Sequence, residues 1–525
     1  MSMSKKVTKG ILAVVFMAMC LIAVQPQKAQ AAQEIPISSA DDLQQMENNP
    51  SGSYYLTKDI TVPANTVLFK TYEVQFRGTL DGKGHAINGY TYSDDKWADS
   101  ASLFSYATNA TFKNLKMSNV NISLRGGGNA CALVSSPTKC TFENITTSGK
   151  ITVGGTASNA AGIAVTPSEK CTFIKCVNNA DITVNAYDIT KSEEQDNIDS
   201  ASGVACGIAG FASDGTAKQC SNSGKITING DLRWGSEEIT AVGLFNGIKS
   251  ITASKNTGTV TAKNVSGAGH ANGTVLACGV AGQITRMASC YNTASITASN
   301  NNKQVGVVAV GIINSASGKN TNVLRCYNKG AVQISGVAGS KAKSRIISGA
   351  GGVGGLDIYS VTESYNTGKV TANVSSGDLM AGGVVASVVN VRNCYNTGKI
   401  SASASAGGYI GGIAGEQSSP AKGKSSDAAA CNYNTATVKA GSKMSKGSIL
   451  GRYEIVGIYA KAAVYDNYYK SGKPYGSMNI TWKPFFAKAV KTSSMKPNKC
   501  KKLSSKYWVY SSKHKRMVLK KNKEK

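Results

Sequence analysis

Three carboxylates, Asp94, Asp95 and Asp99, fall in one short segment around Trp97. Carboxylates held at a set separation cleave glycosidic bonds, and grouped ones hold calcium beside the acid groups of a uronate. A glycoside hydrolase or polysaccharide lyase would find its acid–base groups here. The plainer reading is a solvated surface loop. Asp181, Asp231, Asp357 and Asp378 are scattered rather than aligned. The histidines are His85, His270 and His514, and no His-Glu-x-x-His occurs, which removes metallopeptidase chemistry. No Gly-x-Ser-x-Gly forms a strand-to-helix elbow. No Cys-x-x-Cys pair or Cys/His cluster suggests zinc, so no metal and no cofactor is expected. The chain reads as a binding or structural protein more than an enzyme.

Tyrosine offers the better chemistry. Tyr291, Tyr327, Tyr365, Tyr395 and Tyr433 each stand just before an asparagine in a phrase such as Cys394-Tyr395-Asn396-Thr397-Gly398-Lys399-Ile400. If strand alternation turns Cys and Asn inward, the tyrosines point outward as a column whose rings could stack on sugar faces. Lys369 and Lys399 lie nearby and would add affinity for acidic glycans. The competing reading is a self-stacking ladder that merely shields the strand edge.

The positioning elements follow from the repeat. Asn178, Asn222, Asn256, Asn292, Asn328, Asn366, Asn396 and Asn434 recur at spacings of 44, 34, 36, 36, 38, 30 and 38 residues. Gly162, Gly207, Gly243, Gly279, Gly311, Gly352, Gly383 and Gly412 keep a similar beat upstream. Each copy shows three strand-like pieces: Gly-Ile/Val-Ala, a piece ending at Cys-Tyr, and Lys-Ile/Val-x-Ala. Such short strands are stable when coils stack about 4.8 Å apart and every backbone group pairs with its neighbours. The asparagines then form an amide ladder at a corner that needs left-handed backbone, which Asn tolerates. Glycine after Asn-Thr would relax the same corner. About eleven coils would make a rod on the order of 50 Å long. Cys220, Cys290, Cys326 and Cys394 share one repeat position, and Cys206 and Cys278 another, with Ser or Ala elsewhere. These read as small buried slots holding free thiols.

Lys5, Lys6 and Lys9, the apolar run Ile11 to Val24 and Ala29-Gln30-Ala31 form a cleavable export signal over residues 1–31. Residues 32–102 read as an N-terminal cap with first coils, opened by a short helix that Ser38 and Ser39 cap. Residues 103–470 carry the repeats. Residues 471–525 form a C-terminal cap, with Tyr468-Tyr469 and Tyr507-Trp508-Val509-Tyr510 closing the end, and a basic tail. From Lys483 to Lys525 there are fifteen Lys/Arg against Glu524 alone, half of the net charge of +28. That balance suggests attraction to polyanions, or a solvated tail. No further apolar stretch spans a membrane, and nothing suggests nucleic acid.

The phrases Gly411-Gly412-Ile413-Ala414-Gly415 and Arg392-Asn393-Cys394-Tyr395-Asn396-Thr397-Gly398-Lys399-Ile400 resemble the GLUG-type repeat, and Leu80-Asp81-Gly82-Lys83-Gly84-His85-Ala86-Ile87 resembles the opening of such proteins. The likeness runs from near Ile35 to near Tyr469. Cys140 to Ile182 is degenerate, and Leu244-Phe245 replaces the Ala-Gly of the motif. The resemblance implies an all-β, right-handed parallel β-helix solenoid, as in bacterial adhesins, exported surface proteins and the non-catalytic part of immunoglobulin A-cleaving peptidases. It implies no particular activity. The expectation is a secreted or cell-surface monomer of adhesin-like role that binds a glycan, wall polymer or host surface ligand through a repetitive face. A structural spacer is the remaining alternative.

Overall fold

A strand of four or five residues buries too little to persist alone, so each needs copies of itself above and below. The computed structural model describes residues 33–524 apart from 97, 188–201, 233–237, 268–272, 338–346, 376, 420–427, 456–462 and 481–486. It winds as a parallel β-solenoid of about ten turns. A turn lays down three faces. In one turn these are Asp378–Gly382, then Val385–Arg392, then the two short pieces Tyr395–Asn396 and Ile400–Ala404. Copies pair in parallel and in register: Asp378 with Gly407, Val385 with Ala414, Tyr395 with Tyr433, Ile400 with Val438. The first face is an unbroken sheet from Ala98–Ala101 to Met444–Gly447.

Like side chains stack inside. Ile226, Val260, Ile296, Val332, Val370 and Ile400 are register partners, each at most 1% exposed. Burying each contributes roughly 2 kcal/mol. Nearer the N-terminus the column is aromatic, with Phe112, Phe142 and Phe173 stacked at 5.4 and 5.0 Å. The expected helix is present as Ala40–Gln44, where Ser39 Oγ accepts the Asp42 amide at 3.1 Å. Its Leu43, with Met46 of the following 3-10 turn, is buried in the main core cluster.

The asparagine ladder is continuous. From Asn178 to Asn434 each Nδ2 donates to the next Oδ1 at 2.7–2.9 Å, and each also donates to the backbone carbonyl two residues on. Thr147 Oγ1 donates into the upper end at 2.8 Å, and Tyr469 takes the register position after Asn434 and stops it. All eight amides are buried, so full pairing is what makes them tolerable in the core.

Four expectations about local geometry are corrected. The left-handed corner is not at the asparagine but three residues earlier, at Ser289, Arg325, Glu363 and Asn393 among others. The asparagine itself continues a strand. Gly368 and Gly398 have no left-handed φ; a side chain there would instead run into the carbonyl of Gly330 or Gly368 in the preceding coil. The Gly-Ile/Val-Ala phrase is the bend between first and second faces rather than a strand. Leu244 takes the isoleucine place of that phrase, bonding Ile208 and Ala209 amides, so it is Phe245 that replaces alanine, opposite Ala209 and Ala281. The degenerate Cys140 to Ile182 stretch keeps register, with Phe142 on Phe173 and Ile151 on Ile182.

The two repeated phrases recur together for a packing reason. A methyl group at Gly383 would lie 2.5 Å from Asn396 Cγ and closer still to the Gly412 carbonyl oxygen. Gly311 stands likewise to Asn328 and Gly243 to Asn256, at 2.5 and 2.6 Å. The glycine column is the surface on which the ladder rests. Gly383→Ala is expected to destabilise by about 2 kcal/mol through overpacking, read as a lower denaturation midpoint. An unchanged midpoint would mean the ladder can shift aside freely.

The cysteines from Cys131 to Cys500 are unpaired in the described residues and buried, Cys431 being half-buried. Ser254, Ser364 and Asn432 occupy the same slot as Cys220, Cys290, Cys326 and Cys394 in other coils, and each bonds the backbone of the coil before it.

Candidate functional site

Strand alternation sends the ladder asparagines inward and the preceding tyrosines outward. Tyr291, Tyr327, Tyr365, Tyr395 and Tyr433 form one column with centroids 4.8, 4.9, 4.8 and 5.0 Å apart and planes within 12° of parallel. Each ring therefore turns its faces toward its neighbours and presents its edge and hydroxyl outward. An open strip of ring faces for sugars is not formed. The stacking distance equals the coil rise, which leaves no room for a ligand between rings.

Nor is the column open along its length. In place of a loose solvated tail, the C-terminal segment folds back as the antiparallel hairpin Trp508–Ser511 and Arg516–Leu519 and lies over the rings. Trp508 sits 5.4 Å from Tyr433 and 6.1 Å from Tyr395, and its Nε1 donates to Asn393 Oδ1 at 3.1 Å. Tyr433 donates to the Met517 carbonyl at 2.6 Å and Tyr395 to Glu524 Oε2 at 2.9 Å. Arg516 donates to the same carboxylate oxygen at 2.6 Å. Burial raises the phenols of Tyr365, Tyr395 and Tyr433 well above the ordinary tyrosine range, so all three stay protonated; Tyr395 and Tyr433 donate, whereas the buried Tyr365 hydroxyl has no hydrogen-bond partner among the described residues. These three rings are fully buried, whereas Tyr291 and Tyr327 remain partly exposed.

Beyond the covered rings lies a groove of about 560 Å³, bounded by Tyr291, Tyr327 and Arg325 on the solenoid and by Lys520, Lys521 and Lys523 on the C-terminal segment. Asn522, between those lysines, is buried and donates to the Glu363 carbonyl at 2.9 Å, pinning the segment to the rod. Arg325 is paired with Glu363 at 3.0 Å. Burial, with Tyr291 beside it, pushes the Tyr327 phenol up to about 12. The three lysines were not singled out in the sequence, where the even spread of charge over the last residues hides which of them meet the solenoid. The alternating Trp508–Ser511 and Arg516–Leu519 pieces were the available signal.

The other candidates are dispersed. Asp94 ends the strand Thr91–Asp94 and accepts the Lys96 amide at 2.9 Å, Asp95 faces Arg125 at 3.6 Å, and Asp99 lies in the next strand, Ala98–Ala101. Asp181 accepts the Lys225 amide and Asp357 the Ser315 hydroxyl, far apart on the chain. His85 contacts Asp59 at 3.3 Å and His514 approaches Glu524 at 3.9 Å; His270 lies outside the described residues. Lys369 and Lys399 are exposed on adjacent coils, brought together by the pairing of Val370 with Ile400. The export signal also lies outside the described residues. No helix among them is long and apolar enough to cross a membrane.

Residues 26–149 match the family described as M26 IgA1-specific Metallo-endopeptidase N-terminal region. A stretch of 140 residues is 31% identical to halomucin of Haloquadratum walsbyi, covering 23% of this chain and 2% of halomucin. A solved IgA1 protease structure aligns over 69% of this chain and 21% of its own, at 12% identity and a TM-score of 0.28. The chain thus spans a small part of each of these proteins. It is a β-helix repeat protein that over residues 26–149 is similar to the N-terminal region of the IgA1-specific M26 peptidases.

Proposed function

We propose that the protein is exported and acts outside the cell as a binding rod, holding a glycan or wall polymer without a catalytic step of its own. The observation that carries this reading is the folded C-terminal segment. Lysines on a loose tail would attract any polyanion weakly, whereas lysines pinned to a rigid solenoid present charge in a set pattern. Export is supported by the signal-like residues 1–31 and by the similarity to halomucin and to the N-terminal region of IgA1-specific peptidases. The amide ladder supports rigidity, which a repetitive binding face needs if many weak contacts are to act together.

The test uses the chain lacking residues 1–31 on a panel of acidic and neutral polysaccharides, with retention measured at low and high salt. Retention of at least one acidic polymer, reduced by salt, is the expected result. Appearance of new reducing ends or unsaturated products in the same mixtures would replace this reading by the enzymatic one at Asp94, Asp95 and Asp99. A chain retained by nothing on the panel would leave the spacer role.

A further inference from the structure

We propose that the groove between the Tyr291–Tyr327 edge and the Lys520–Lys523 stretch is the binding site for an acidic glycan chain, one carrying sulfate or carboxylate groups. This rests on the binding-rod reading above and names its site and ligand class. The groove is bounded by four cations and no carboxylate. Arg325 already has Glu363, so the ligand's charge falls to Lys520, Lys521 and Lys523, all exposed. The nearby carboxylate that could have neutralised them, Glu524, is turned away into Arg516 and the Tyr395 hydroxyl. Asn522 holds the intervening backbone against the solenoid, so the three ammonium groups start from a fixed base.

The cations also line up along the rod. Lys255 takes the register position of Tyr291 in the preceding coil and is exposed, and Lys329 Nζ lies 5.9 Å from the Tyr327 ring centroid. A linear polymer laid along the rod would meet Lys255 one coil before the groove lysines. Its ester and hydroxyl oxygens would meet phenolic donors, since Tyr327 stays protonated up to about 12. Ring geometry selects against single-stranded nucleic acid. Bases need free aromatic faces to stack on, and here the faces are spent on neighbouring tyrosines.

The experiment compares two triple variants of the chain lacking residues 1–31, Lys520→Ala/Lys521→Ala/Lys523→Ala and Lys496→Ala/Lys499→Ala/Lys501→Ala. Both remove three exposed charges from the same folded segment. Probes are heparin, polygalacturonate and neutral dextran, with single-stranded DNA as competitor. The groove triple is expected to raise the Kd for an acidic glycan roughly ten-fold while the second triple stays within about two-fold. Preference for heparin or for polygalacturonate then tells sulfate from carboxylate. Equal loss in both triples, with wild-type binding intact, would overturn the groove and spare the broader reading. Absence of wild-type binding to any glycan would overturn both. DNA bound as tightly as the glycans, with the same lysine dependence, would overturn the glycan assignment.

Discussion

Asn366→Asp is expected to cost about 4 kcal/mol of stability at neutral pH, and most of that loss should disappear in acid. Asn366 stands mid-ladder, accepting from Asn328 Nδ2 and donating to Asn396 Oδ1, both at 2.9 Å, with no exposure to solvent. A carboxylate of the same shape can still accept from Asn328 but meets the Asn396 oxygen with no proton between them. It also buries a charge with no cation beside it, which accounts for the size of the effect. Burial raises the folded-state pKa of such a carboxyl above its unfolded value. The penalty is therefore complete above the folded pKa and shrinks as pH falls toward the unfolded one, where both states are neutral. Below that point the protonated acid can donate its single proton to Asn396, and only the amide's second bond, to the Gly368 carbonyl, stays lost. Denaturant unfolding across a pH series reads this directly, and a penalty that stays constant into acid would contradict the ladder.

Trp508→Ala should cost about 3 kcal/mol at the C-terminal segment while leaving the coils wound. The indole is 2% exposed, lies against Tyr395 and Tyr433, and donates to Asn393. Its removal leaves a cavity between hairpin and column and strips a buried acceptor of its partner. The segment should open locally, because what then holds it is the smaller apolar packing of Met495, Leu503, Met517 and Leu519 and single hydrogen bonds such as Tyr433 to Met517 and Asn522 to Glu363. Hydrogen exchange is the suitable readout: amides of 508–524 should lose protection, whereas those of the first face, such as 378–382, should not. Equal loss in both regions would show that the segment is part of the solenoid's own cooperative unit. Glycan affinity should fall with the segment's protection, since the groove lysines would no longer be held.

Much of the architecture was legible because stacking makes periodicity visible. Asn292, Asn328, Asn366 and Asn396 recur in a chain that has to set them one above another, and three hydrogen bonds link them in one file. The helix at Ala40–Gln44 could be read from Ser39, Asp41 and Asp42 because capping is local. The corner was misplaced by three residues for an equally physical reason. Positions 289, 325, 363 and 393 hold Ser, Arg, Glu and Asn, and no composition marks them as left-handed. There the strain is imposed by the coils on either side, at a cost of about 1 kcal/mol per residue. The glycines were noticed for backbone freedom, yet most of those in the repeats serve close approach, which depends on what lies opposite.

The acidic segment was less legible. Asp94, Asp95 and Asp99 are close in sequence, but a strand boundary separates Asp99 from the others, and Arg125 of the following coil faces Asp95. Nearness along a solenoid strand means little, because neighbours in space are one turn away.

On its own, then, the order of residues determined that the chain coils, which side chains form columns, and that its thiols belong inside, since each follows from a repeat longer than a strand and shorter than a domain. What the tertiary structure decided is the fate of the tyrosines. Whether an outward ring is a platform or a buried wall depends on what comes to lie over it, and that cover, Trp508 and Met517, is 75 and 84 residues further along than the Tyr433 it hides, outside any repeat. Periodicity carries no information about a contact that occurs once.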